Sequence, residues 1–155
     1  MATEAKLRQL ADKGCPVYYF YSSERYLVRQ AITAITRILT ADSDEDATVL
    51  DGAAPEIEQL IMAAGTISFF GTRRVVVLPE IDPAAYSDKD LEELNSTLSS
   101  LENAVVVLGS VFELERNKLK TGKRAQKLIA QCKALGYTEE LAKPKPFELK
   151  MMMID

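Results

Sequence analysis

The sequence predicts an α/β domain of three layers, built on a mostly parallel five-stranded sheet. Strand-like runs alternate with helical patterns along the whole chain. At least three of those runs, in Pro16–Tyr21, Val75–Leu78 and Ala104–Leu108, are continuously apolar. Unbroken apolar strands are what a parallel sheet covered on both faces requires. The chain has 155 residues, the size of one domain that buries roughly 70% of its unfolded surface and needs no disulfide or metal.

Each element has a local reason. Thr3–Lys13 carries Leu7, Leu10 and Ala11 on one helical face, with Thr3 placed to cap it and Gly14 to stop it. Pro16–Tyr21 is aromatic and β-branched, hence a buried strand. Ser22-Ser23-Glu24 turns the chain and caps a helix over Glu24–Thr40, whose inner side is Leu27, Val28, Ala31, Ile35, Ile38 and Leu39. An acidic loop, Ala41–Asp46, leads to a second strand at Ala47–Leu50 that closes on Asp51-Gly52. Pro55 opens the next helix at its favoured first position, with Ile57, Leu60, Ile61 and Ala64 facing inward.

A connector then holds two adjacent aromatics, Phe69 and Phe70, beside Gly71 and the arginines Arg73 and Arg74. The strand Arg74–Pro79 follows. After a loop at Asp82–Ser87, Ser87 caps a helix from Asp88 to about Leu101, with Leu91, Leu94, Leu98 and Leu101 at helical spacing. Ala104–Leu108 is a further strand ending at Gly109. Residues 116–135 read as a basic amphipathic helix, or a loop and then a helix, with Leu128, Ile129 and Cys132 inward and Gly136 as the stop. Tyr137–Leu141 is a last short strand. Pro144 and Pro146 mark a linker, and the methionine-rich Phe147–Asp155 reads as the start of a following helical domain. The expected division is a domain over 1–143 and a linker with the beginning of a second domain over 144–155.

Composition narrows the chemistry. The formal net charge is −4, against free-standing nucleic-acid binding, where a basic excess supplies most of the affinity. There is no histidine, which removes the Ser-His-Asp triad, the Cys-His pair and the histidine base. Cys15 and Cys132 lack CxxC spacing and suit a reducing cytoplasm. No metal, cofactor or catalytic residue is expected. The N-terminus is charged and helical in pattern, unlike a signal peptide, and no apolar run approaches the ~20 residues that span a membrane.

Parallel sheets bind ligands at the carboxyl ends of their strands. The first such end, Tyr21-Ser22-Ser23-Glu24-Arg25, has neither the glycines nor the lysine of a phosphate-binding loop. Gly122-Lys123 is a Gly-Lys pair, but Asn117 stands where the first glycine belongs and Arg124 where the hydroxyl belongs. Asp51 ends a strand as a phospho-accepting aspartate does. Without an acidic pair at the first strand's end it is a turn residue. Arg116, Lys118, Lys120, Lys123, Arg124 and Lys127 have no acid among them. They can meet phosphates or an acidic protein, or form an ordinary solvated face. Neighbouring side chains of an extended segment point opposite ways, so one core pocket does not readily hold both Phe69 and Phe70. Either both pack inside, or at least one faces solvent and marks a partner site.

The chain resembles the delta subunit of bacterial DNA polymerase III, a component of the sliding-clamp loader. The resemblance rests on VYYFYSSERYLVRQA (17–31), TVLDG (48–52), ISFFGTRRVVVLPEI (67–81), LEELNSTLSSLENAVVVLGS (91–110) and RNKLKTGK (116–123). It implies an N-terminal AAA+-like domain of P-loop-NTPase type that has lost the P-loop. It also implies that a hydrophobic pair before the third strand plugs a pocket on the beta clamp. Phe69 and Phe70 fall at that pair, with phenylalanine where the family often has leucine. Gly71 and Arg73 would flank the contact, and Arg116, Lys118, Lys120, Lys123 and Arg124 are candidate electrostatic contacts. The implied partners are the beta clamp, the other loader subunits and, indirectly, primed DNA. The implied setting is a DNA-directed DNA polymerase (nucleotidyltransferase) holoenzyme in which this subunit helps open the clamp without catalysis of its own. A small-ligand or nucleotide-binding enzyme domain is the alternative on the same type of sheet.

Overall fold

The computed structural model describes residues 3–41, 46–65 and 73–142. Phe69, Phe70 and Gly71, part of the acidic loop, and residues 143–155 lie outside the described residues. The helices are α1 (Glu4–Asp12), α2 (Arg25–Leu39), α3 (Ile57–Gly65), α4 (Asp88–Ser99) and α5 (Lys123–Leu135). The strands are β1 (Val17–Ser22), β2 (Thr48–Val49), β3 (Arg74–Leu78), β4 (Ala104–Val111), β5 (Leu114–Glu115), β6 (Lys118–Leu119) and β7 (Tyr137–Glu140).

The main sheet has five strands in the order β2-β3-β4-β1-β7, and every pairing in it is parallel. This is the three-layer α/β architecture that the apolar runs predict. Alternate residues of each strand serve opposite layers, as the two-residue period of a strand demands. Val17, Tyr19, Val76, Leu78, Val106 and Leu108 pack under α3, α4 and α5, where Leu60, Leu94 and Leu128 are buried. Tyr18, Phe20, Val75, Val77, Val105 and Val107 pack under α1 and α2, against Leu7, Val28 and Ile35. Thr3 and Ser87 cap their helices as expected, accepting from the Lys6 and Asp90 backbone amides.

Three local expectations are corrected. Pro55 precedes α3 by two residues, because its helix begins at Ile57. Ile61 does not face inward: it is 52% exposed. α3 is apolar around most of its circumference, so a single inward stripe cannot hold all of its hydrophobic side chains. Of the two readings of residues 116–135, the helix is confined to α5 from Lys123, as in loop and then helix, and residues 114–119 form an antiparallel hairpin where no strand was expected. The hairpin turns on Arg116 (φ 52°) and Asn117 (φ 66°), the double left-handed geometry of a two-residue turn whose twist matches the strands.

Cys132 is wholly buried on α5, and burial pushes its thiol up from 9.0 to about 12. Unfolded, the thiol ionises near its ordinary value, so above pH 9 the unfolded chain holds fewer protons than the native one. The thiol's contribution is therefore intact below about pH 9 and lost as pH rises toward 12. Urea denaturation at pH 8 and pH 10.5 should show Cys132→Ala losing about 2 kcal/mol less stability over that interval than the parent chain.

Candidate functional site

A parallel sheet has two chemically different ends. At the carboxyl edge, where such folds hold ligands, the turn after β1 is closed in this chain. Only Ser23 and Glu24 separate β1 from α2, too short a loop to wrap a phosphate with backbone N–H groups. Ser22 is fully buried. Its Oγ accepts from the Glu24 amide at 3.0 Å, and its carbonyl accepts from the Phe112 amide at 2.8 Å. Ser110, equally buried, donates to the Ile81 carbonyl at 2.8 Å and is bonded to the Tyr19 hydroxyl at 2.6 Å. With the Ser110 proton committed to Ile81, Tyr19 is the donor in that pair, and burial raises its pKa.

Above β4, a Cβ on Gly109 would lie 2.5 Å from the Pro79 carbonyl and 2.6 Å from Ile32 Cδ1. The space is filled by the protein itself. Arg25, the first residue of α2, donates to both carboxylate oxygens of Glu80. Both partners are largely exposed, so the pair contributes at most ~1 kcal/mol.

The same edge carries a cleft of about 460 Å³ between the 3-10 turn Pro83–Ala85, the hairpin and the start of α5. Asp82, Asp88, Lys120, Lys123 and Arg124 line it. Arg124 is engaged there: its Nε donates to Asp88 Oδ1 at 3.0 Å. Arg116, Lys118, Lys120 and Lys123 are exposed on the hairpin and the first turn of α5. The structure thus brings the predicted basic residues onto one surface, though through a hairpin and not one continuous helix.

The amino edge is built differently. Gly65 ends α3, and Arg73 precedes β3, so the residues flanking the Phe69-Phe70 connector stand at this edge. Arg73 is half-buried, and its Nη2 donates to the Ala104 carbonyl at 3.3 Å. The Arg74 amide donates to Asn103 at 3.0 Å. Next to Gly65 lies a groove of about 480 Å³ lined by Ile61, Ala64 and Leu101, with Ser96, Ser100 and Asn103 at its polar side. Ile61 and Met62, 72% exposed, present apolar surface on the last turns of α3. Sequence periodicity missed this surface. The available signal was the density of the Leu60-Ile61-Met62-Ala63-Ala64 run, which exceeds what one buried stripe can absorb.

Fold and site together define a three-layer parallel α/β domain whose first strand-to-helix turn is too short to wrap a phosphate. The described residues hold no cluster of metal-ligating side chains, and no helix among them is long and apolar enough to cross a membrane. Residues 18–136 match the family described as DNA polymerase III, delta subunit. The chain belongs to that family. It is 27% identical over 137 residues to the DNA polymerase III subunit delta of Bacillus subtilis (strain 168), covering 80% of this chain and 39% of that protein. The chain therefore spans well under half the length of this relative. Among solved structures it is similar to a DNA polymerase III gamma subunit-related protein from Thermotoga maritima. The TM-score is 0.63 at 14% identity, over 94% of this chain and 48% of that one, a likeness of fold.

Two measurements check the closed carboxyl edge. Millimolar ATP with magnesium should leave the melting temperature unchanged, because a ligand of the native state would raise it. A clear upward shift would reopen the nucleotide-binding alternative. Gly109→Ala should destabilise the chain by about 1–3 kcal/mol in urea denaturation, the cost of forcing a methyl group into filled space. A neutral substitution would show the edge to be looser than its geometry.

Proposed function

We propose that this chain is the clamp-engaging part of a clamp-loader delta subunit, and that it works as a non-catalytic wedge. Phe69 and Phe70 insert into an apolar pocket of the beta sliding clamp, with Gly71 allowing close approach and Arg73 bordering the contact. Binding an open or strained ring more tightly than a closed one shifts the ring toward opening, and primed DNA can then enter. Burial of two phenyl rings supplies roughly 3–6 kcal/mol before ordering costs. Partner subunits hydrolyse ATP and gate access to the clamp. A domain over residues 1–143 does the engaging, and further domains beyond the linker join the other loader subunits.

The observation that carries this reading is the exposed apolar surface of Ile61 and Met62 on the turns of α3 leading directly to the Phe69-Phe70 connector. It lies at the end of the sheet opposite the closed phosphate site. Membership of the delta-subunit family and the lack of a phosphate-wrapping loop support the same role.

Phe70→Ala should weaken binding to the cognate clamp by about 2–4 kcal/mol, as loss of an aromatic anchor does. Titration of the variant against purified clamp measures the loss, and circular dichroism run in parallel should show the fold retained. Unchanged affinity removes the pair from the contact. A variant that unfolds assigns the ring to the core.

A further inference from the structure

We propose that the outer edge of β2 and the groove between it and α2 form a docking site for an extended segment of another protein, one with an acidic residue two positions to either side of an apolar one. The site involves neither the Phe69-Phe70 connector nor the basic hairpin.

The two helical layers cover the sheet unequally. Three helices, α3, α4 and α5, pack on one face, and two, α1 and α2, on the other. A helix is about 10 Å across and strands stand about 4.8 Å apart, so two helices cover about four strands. The sheet has five. α2 packs chiefly on β1 and β4, and β2, the last strand in the order, is left over. Val49 registers the deficit. It shares a face with its partner Val77, which is buried under α2, yet Val49 is 52% exposed.

The backbone there is open as well. No strand among the described residues pairs with the outer side of β2. The Leu50 amide donates to the Val77 carbonyl, so the alternation of the strand turns the Val49 amide and carbonyl to the open side. Edge strands are normally blunted by lysine, proline or a covering element. β2 carries Thr48 and Val49 and is blunted only by its shortness.

Beside this edge lies a groove of about 440 Å³. Val49, Val77 and Pro79 give it an apolar floor, and Arg29, Thr36 and Arg37 stand along its α2 wall. Both arginines are exposed, and neither has an ion pair or hydrogen bond among the described residues. Thr36 Oγ1 is out of reach of water and bonds to nothing. Thr40 and Thr97, also on or beside helices, return their hydroxyls to the carbonyl four residues back. A buried hydroxyl without a partner is rare and costly, and an acceptor entering the groove can supply one.

The spacing selects the occupant. Arg29 and Arg37 lie eight residues apart on α2, about 12 Å along its axis. In an extended chain, residues i and i+4 share a face and stand about 13 Å apart. Two acids at that interval reach both guanidinium groups. The residue midway between them faces the same way, over Val49 and Val77, where an apolar side chain fits. The backbone of the segment then bonds to the Val49 amide and carbonyl. In strand addition of this kind, main-chain bonds give affinity and alternate side chains give specificity. A second copy of β2 fits poorly, because the acids flanking it, Asp46 and Asp51, are five residues apart and fall on opposite faces. A nucleic-acid backbone has no apolar group for the floor.

The probe is a fluorescein-labelled peptide with Asp-Thr-Val-Thr-Asp at its centre and threonine on either side, titrated with the 155-residue chain by anisotropy. Binding should saturate, and amide hydrogen exchange followed by NMR should slow at Val49. Arg29→Glu/Arg37→Glu should bind about tenfold more weakly or worse, and should regain binding to the peptide with lysine at both aspartate positions. Its melting temperature should hold, since both side chains are exposed and unpaired. Val49→Pro removes the outward amide at an edge, where proline is tolerated, and should lose the peptide. If that variant fails to fold, the charge exchange still decides. No saturation at millimolar peptide, equal binding of a peptide with its two aspartates moved side by side, or failure of the lysine peptide to rescue would overturn the proposal. Concentration-dependent dimerisation abolished by the arginine variant would assign the edge to a second copy and likewise overturn it.

Discussion

Everything in this domain is arranged around the parallel pairing of β1 with β4. Val17 through Ser22 lie opposite Val106 through Val111 in continuous register. Tyr18, Tyr19 and Phe20 have no exposed surface, nor do Val106, Val107 and Leu108. Peptide groups so placed have no water to bond to, so the ladder must be complete. Covering both faces of the ladder requires helices on both sides, and parallel strands can be joined only by crossovers that supply them. The close fit extends to the last crossover. A Cβ on Gly136 would lie 2.1 Å from the Val17 carbonyl, so the turn from α5 into β7 lies directly against the start of β1.

That constraint explains which features could be read from sequence. Strands with both faces buried must be apolar at every position, and Val75–Leu78 and Ala104–Leu108 show it without ambiguity. Helices with a single buried stripe were equally plain, as in the spacing of Leu91, Leu94 and Leu98 on α4. Legibility failed where that logic does not reach. The hairpin is too short to bury a face, and its turn uses Arg116-Asn117 without glycine, so the charged run read as helix or as loop and then helix, with no sign of its two short strands. α3 is apolar on more than its buried side, and periodicity cannot say which extra residues stay outside. At the candidate site, Arg73 was legible as a flank of the connector. Its bond to the Ala104 carbonyl was not, because it joins residues distant in sequence.

The two edges of the sheet differ in what they leave unsatisfied. At the carboxyl edge the polar groups are consumed internally. Ser22, Ser110, Tyr19 and the Ile81 carbonyl bond one another or nearby backbone, and Arg25 is taken up by Glu80. Nothing there is left to recognise a triphosphate in the cradle of β1. What stays unmatched lies to one side, in the lysines of the hairpin and α5. At the amino edge apolar area is exposed, on Ile61 and Met62. An internally bonded turn at one end and exposed hydrophobic surface at the other support the proposed wedge.

The proposed wedge role, gripping a ring strongly enough to strain it, would make a mechanical demand. Force on the connector must pass into something that does not yield before the partner does. Its near flank is α3, held by Ile57 and Leu60 in the core beneath it. Its far flank is tied twice to the strand beside it: the Arg74 amide reaches Asn103, and the Arg73 guanidinium reaches Ala104. Both ties end at the start of β4, the strand whose later residues, Val106–Val111, pair with β1. A load on the connector would therefore be spread over the β3–β4–β1 ladder, where backbone bonds must break together. A flexible tether could supply the same two phenyl rings and the same buried area. It would bind an open and a closed ring nearly alike, because it could follow either shape. Under the proposed function, discrimination between ring states rests on differential affinity, and the packing of these strands would supply the rigid mount for it.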